Sequence, residues 1–317
     1  MAIYRRGLFF YIACNNDVGV CEASMTDSFL KYLRFEKRVS PNTLVAYEGD
    51  LSQFEAFINE AFPEEKITDA GYGIVRAWII SLVESGIKAP SVNRKIASLR
   101  AYYKFLLKQE TISKDPLLKI KPLKTSKRLP TFVKEGDMVK LLDQIDYGDS
   151  HAGWRDKLIL ELFYATGIRL SELIHLKETQ VDLRNCTIKV LGKRNKERVI
   201  PFSAGIVSII DNYRRMRNRE VDVGDHGFLF VTDSGEPCYP MMVYRVVRKY
   251  LDLYTTTEKK SPHVLRHTYA THLLNKGAEI NAVKDLLGHS SLAATQVYTH
   301  NSLEKLKKVF DQAHPKA

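Results

Sequence analysis

From Asp27 onward apolar residues recur at intervals of three and four, the spacing of one face of an α-helix. Ser40-Pro41 is a helix-start signal, a capping hydroxyl followed by proline in the first turn. Behind it Leu44, Tyr47, Leu51, Phe54 and Ile58 form one stripe. Val75, Trp78, Ile79 and Leu82 predict a third helix, closed by Gly86. Ser91 opens a fourth, with Val92, Ile96, Leu99, Tyr103 and Leu106 inward and Arg94, Lys95, Arg100, Lys104 and Lys108 on the other side. The pattern predicts a small helical bundle over residues 26–112 with one basic surface.

Residues 113–130 contain three prolines and no regular period, which predicts a semi-extended basic linker. A larger second domain, 131–317, reads as mainly helical. Its helices are interrupted by a strand pair, Thr187–Leu191 and Arg198–Phe202, joined by a turn at Gly192–Asn195. Phe228–Val231 is expected to add an edge strand. Further helices are expected at 240–254, 263–275, 280–286, 292–300 and 303–312.

A chain of 317 residues exceeds the size at which one core keeps growing, so two domains are expected. An apolar fraction of 44% with 27% charged residues is ordinary for a soluble globular protein. The net charge of +11 is unevenly spread. Between Lys88 and Arg128 twelve Lys/Arg face only Glu110 and Asp115, while the rest carries 36 basic against 35 acidic residues. A solvated basic face is the plain alternative, but so dense a segment favours a phosphate backbone as partner. Cys14, Cys21, Cys186 and Cys238 form no C-x-x-C pair and no disulfide framework, which fits a reducing, cytoplasmic setting. No apolar run approaches the roughly 18 residues that a membrane span needs. Residues 1–24 faintly resemble a short signal peptide, yet Asn15, Asn16 and Asp17 end the apolar stretch abruptly. Met25-Thr-Asp looks like a natural start, so residues 1–25 are expected to be an extension or a disordered tail.

Candidate chemistry lies in the second domain. Arg169 follows a Gly167 break and starts a new helix, a natural seat for phosphate. His263 and Arg266 stand three apart on one helix face, pairing a proton carrier with a guanidinium fork. His267, four residues after His263, raises a zinc reading, but Val264 stands where H-E-x-x-H needs glutamate. Lys193 sits in the strand-pair turn, where it could enter a groove. Leu287-Gly-His289 precedes a helix carrying Tyr298 in a polar setting. Taken singly, each has an ordinary structural explanation.

Together, TGIRLSEL, LGKRNKERVIPF, HVLRHTYATHLL and LLGHSSLAATQVYTH closely resemble the tyrosine recombinase (lambda-integrase-like) family. The resemblance runs over about 26–317, from SPNTLVAY to the Ala-His-Pro-Lys-Ala end, and is greatest to the bacterial Xer chromosome-dimer resolvases. It implies an N-terminal SAM-like core-binding bundle and a C-terminal catalytic domain of the DNA breaking-rejoining fold. It implies that Arg169 and Arg266 clamp the scissile phosphate, Lys193 protonates the leaving 5′ oxygen, and His263 assists proton transfer. His289 would hydrogen-bond the phosphate and Tyr298 would attack, forming a 3′-phosphotyrosyl bond. No cofactor and no metal are implied, and no P-loop motif is present. Arg94, Lys95, Arg100, Lys104, Lys119, Lys121, Lys124 and Lys127 are expected to contact DNA. The implied partners are double-stranded DNA with inverted-repeat half-sites and a homo- or hetero-tetramer, with a second Xer-type recombinase and a DNA translocase left open. The terminal helix, with Leu303, Leu306, Val309 and Phe310, would dock on the next subunit or pack within its own. A phage or mobile-element integrase and a non-catalytic sequence-specific DNA-binding protein are the alternative readings.

Overall fold

The first helix starts where a cap allows it: the Ser24 hydroxyl accepts the backbone N–H of Asp27 and opens α1 (Met25–Lys31). In this computed structural model, residues 24–125, 131–192, 197–288 and 312–313 are described. One π-helical turn, Tyr32–Glu36, follows α1. Helix α2 (Pro41–Ala61) begins behind Ser40, whose hydroxyl accepts the Thr43 N–H. Helices α3 (Tyr72–Glu84) and α4 (Ala89–Lys108) complete the bundle. Helix α4 starts two residues before Ser91, because Pro90 fits its first turn. The apolar stripes meet in a core that includes Phe29, Leu51, Phe54, Trp78, Ile96 and Leu99.

Two details differ from the pattern reading. Lys95, expected on the DNA-facing side, is only 6% exposed, and its ammonium is held by Asp50 (3.0 Å) and Gln53 (2.5 Å). Asp50 also accepts the two-pronged guanidinium of Arg94 and the Ser98 hydroxyl, so the cluster staples α4 to α2. Taking a buried ammonium from its carboxylate costs several kcal/mol, which removes Lys95 from the phosphate-binding set. The stretch after α4 is likewise not free as far as Leu123. Leu117 and Ile120 are buried in the same core, and the Asn93 amide both donates to and accepts from the Leu123 backbone. Lys104, Lys119, Lys121 and Lys124 remain exposed, whereas Arg100 is half-buried and donates to the Ile120 carbonyl.

The chain divides into two compact units between Lys127 and Arg128. In the second, α5 (Glu135–Asp143), α6 (His151–Thr166) and α7 (Leu170–Ile174) precede a short 3-10 turn, Glu178–Gln180. Then come β1 (Val181–Asp182), β2 (Thr187–Leu191) and β3 (Glu197–Pro201), an antiparallel sheet in that order. Helices α8 (Gly205–Glu220), α9 (Pro240–Tyr254), α10 (Pro262–Asn275) and α11 (Ile280–Leu287) follow. Helix α6 is buried on nearly every side and forms the centre of this core. Phe228–Val231 is not an edge strand. It makes only isolated bridges, Lys177 to Phe228 and Val231 to Pro237, because Leu229, Phe230 and Val231 all point into the core. The architecture is therefore mainly helical with one small antiparallel sheet. Among the described residues no helix is long and apolar enough to cross a membrane.

Candidate active site

Gly167 ends α6 in the left-handed conformation (φ 57°) and turns the chain sharply into α7. A side chain could not follow: a Cβ here would lie 2.5 Å from a Tyr269 ring carbon and 2.9 Å from Leu287 Cδ2. Two residues on, Arg169 takes the N-cap of α7, and Glu172 takes its third position. The Glu172 carboxylate accepts the Arg169 backbone N–H at 2.9 Å and its Nη1 at 2.7 Å. Both bonds run from Arg169 to the one carboxylate, and they fix the helix start and the direction of the Arg169 side chain.

A third arginine enters from the sheet. Arg198 sits on the inward face of β3 with Ile200 and is 4% exposed. It forks onto Glu172, Nη1 to Oε1 at 2.6 Å and Nη2 to Oε2 at 2.7 Å. Arg266, 7% exposed on α10, donates to the carbonyl of Gly167. The three guanidiniums then converge on consecutive carbonyls at the end of α11. Leu286 accepts from Arg198 Nε (3.2 Å), Leu287 from Arg266 Nη2, and Gly288 from Arg169 Nη2 (2.7 Å). Terminal carbonyls have no partner within their helix and carry its negative end, which suits them to this use.

The electrostatics follow from that count. Three guanidiniums face one carboxylate, leaving two positive charges in excess among the described residues of the cluster. Burial, with the charges of Arg169 and Arg198 behind it, pushes Arg266 down to about 10 against the pull of Glu172. Burial alone would raise Glu172, but the hydrogen bonds and charge of Arg198, aided by Arg169, hold it below its ordinary range. Arg266 stays cationic at neutral pH, and an anion would offset the charge that the fold confines there. A guanidinium has five N–H groups, and among the described residues Arg169 and Arg266 each spend two on protein acceptors. Both therefore keep donors for phosphate oxygens.

His263 stands exposed in the first turn of α10, three residues before Arg266. Burial, with His263 nearby, lowers His267, which favours its neutral form. Among the described residues no group of three His, Cys, Asp or Glu could hold a metal ion. The structure thus brings Arg169 and Arg266 together around one helix end. Lys193, His289, Tyr298 and Lys127 lie outside the described residues, as do the expected helices at 292–300 and 303–312, apart from Gln312. Pattern reading missed Glu172 and Arg198, although both stand in the motifs quoted above.

The comparisons give the class of this helical bundle and of the α-rich domain with its arginine cluster. Residues 131–305 match the Phage integrase family, and residues 26–110 match the N-terminal SAM-like domain of phage integrases. Tyrosine recombinase XerC of Chlorobaculum parvum is 35% identical over 95% of this chain and 97% of its own. Tyrosine recombinase XerD of Staphylococcus haemolyticus is 33% identical over 93% and 99%. The crystal structure of XerH site-specific recombinase bound to palindromic difH, a post-cleavage complex, shares the fold. Its TM-score is 0.68 at 23% identity, covering 91% of this chain and 84% of that one.

The chain belongs to the tyrosine recombinase family. It is a site-specific recombinase, an enzyme that cleaves and rejoins DNA.

Proposed function

We propose that Arg169 and Arg266 clamp the scissile phosphate, that the Tyr298 hydroxyl attacks it, and that Lys193, His263 and His289 serve the proton transfers and hold the phosphate. The observation that carries this reading is the convergence of Arg169 and Arg266 on the carbonyls just before His289, with donors to spare. Attack on a phosphodiester gathers negative charge on the non-bridging oxygens, and two preorganised guanidiniums stabilise it. The 3′-phosphotyrosyl bond keeps the energy of the broken linkage, so a 5′ hydroxyl can reverse the step without ATP. A tyrosine, with an ordinary pKa of ~10, becomes a nucleophile when a cationic site and a base lower the cost of losing its proton.

The biological role we propose is resolution of chromosome dimers at cell division, in the cytoplasm, on a DNA site with inverted-repeat half-sites. Identities of 33–38% to XerC and XerD proteins across nearly their full length support it over mobile-element integration. Joining two duplexes requires four protomers, either of this chain or shared with a second Xer-type recombinase, and a DNA translocase is a candidate activator. To test this, purified protein is incubated with plasmids carrying two copies of the site, once that site has been found by footprinting. A covalent protein–DNA adduct, and recombinant circles once every recombinase of the tetramer is supplied, should form with neither ATP nor divalent metal, and EDTA should not abolish them. Strict dependence on either would refute the mechanism.

The basic stretch around Lys119 gives a second prediction. Exchanging Lys119, Lys121 and Lys124 for glutamine should weaken binding to every DNA sequence and flatten the salt dependence, by about 0.9 in log–log slope for each phosphate no longer neutralised. Salt titrations of binding to target and random duplexes check this. A loss confined to the target would show base reading instead.

A further inference from the structure

Arg198 carries no expected role in cleavage, yet its contacts join three parts of the site. Its fork holds Glu172, the carboxylate that orients Arg169 through both backbone and side chain. Its Nε holds the Leu286 carbonyl, one residue before the carbonyl that Arg266 grips. Its side chain also lies under Gly288, where a Cβ would stand 3.1–3.2 Å from Arg198 Cδ, Nε and Nη1. Opposite it in the sheet is Val190 on β2, the strand that precedes Lys193 in the sequence. One buried side chain thus connects the strand pair, the Arg169 cap and the end of α11.

We propose that Arg198 is a positioning residue for strand cleavage: by engaging both oxygens of Glu172 it keeps that carboxylate from neutralising Arg169, and it aligns the helix end from which residue 289 departs. The inference rests on Arg169 and Arg266 as the phosphate clamp. Arg169 already shares Glu172 Oε1 with Arg198, and without Arg198 that carboxylate would have only Arg169 to satisfy it, drawing more of the guanidinium away from the phosphate. Lysine keeps the charge but is a point donor, unable to span two carboxylate oxygens and a carbonyl together.

The test separates geometry from folding. Single-turnover cleavage is measured at saturating protein on nicked suicide DNA, beside binding affinity and thermal midpoint, for Arg198→Lys, Arg198→Met and Arg198→Met/Glu172→Gln. Arg198→Met should cleave on the order of 100-fold more slowly, the scale expected when a reacting group is displaced by about 1 Å, with affinity little changed. The double variant removes the carboxylate that would neutralise Arg169 and should regain the thermal midpoint and part of the rate, but not the part owed to the Leu286 carbonyl that Arg198 no longer holds. Arg198→Lys, which keeps the charge, should stay folded and still cleave about tenfold more slowly, part of the same misplacement cost. Full wild-type rate in the double variant, no gain of rate at all over Arg198→Met, or a wild-type rate in Arg198→Lys would overturn the proposal. Failure of the wild-type protein to cleave would instead strike at the clamp itself, so the two are distinguishable.

Discussion

Replacing Arg266 by alanine is expected to slow strand cleavage by a factor on the order of 10²–10³, the usual cost of removing one preorganised donor from a developing oxyanion. The guanidinium is fixed before any DNA arrives, by the Gly167 and Leu287 carbonyls on either side. Its charge is held where burial resists it, and under the proposed clamp a phosphate entering the site would relieve that cost. Overall affinity should change far less, since binding spreads over many phosphate groups. Arg266→Lys should be nearly as slow, because one ammonium cannot bridge two carbonyls and a phosphate. Rates measured beside thermal midpoints check that the loss is chemical. A near-normal rate in either variant would mean that the phosphate is held elsewhere.

Gly167→Ala should damage both stability and activity. The left-handed backbone alone costs an L-residue about 1–3 kcal/mol, and forcing a methyl against Tyr269 and Leu287 adds a comparable overpacking penalty. Together, on the order of 2–6 kcal/mol is a large share of the stability of an ordinary domain. Activity should fall beyond what unfolding explains, because any shift here moves the carbonyl that steadies Arg266. Denaturant unfolding measures the first effect and cleavage by the remaining folded protein the second. An unchanged midpoint would show that the turn tolerates a side chain.

Comparing these residues shows how far pattern reading reaches. Arg169 was legible because a glycine break before an arginine at a helix start is a local signal. The placement of His263 and Arg266 three residues apart at the start of one helix was legible from their spacing. Glu172 had a signal as well: three residues after the cap is where a capping carboxylate belongs. Arg198 had one in the alternation of β3, which puts it on the inward side with Ile200, a position no charge occupies without a partner. What spacing cannot supply is the partner, 26 residues from Glu172 to Arg198. Lys95 shows the same limit. It lies three residues after Val92 and four before Leu99, close to the buried stripe, but only the fold reveals Asp50 from α2 waiting for it. The packing of Leu117 and Ile120 was hidden by prolines that read as a free linker.

The most direct measurement is the position of the protein–DNA bond. Protein trapped on suicide DNA is digested with nuclease and trypsin, and the nucleotide-bearing peptide is sequenced by mass spectrometry. Cleavage after Lys284 and Lys305 releases residues 285–305, whose sole tyrosine is Tyr298. The account predicts a nucleotide on that tyrosine in the wild-type protein and no adduct in Tyr298→Phe. An adduct on any other residue, or one that survives in Tyr298→Phe, would contradict it.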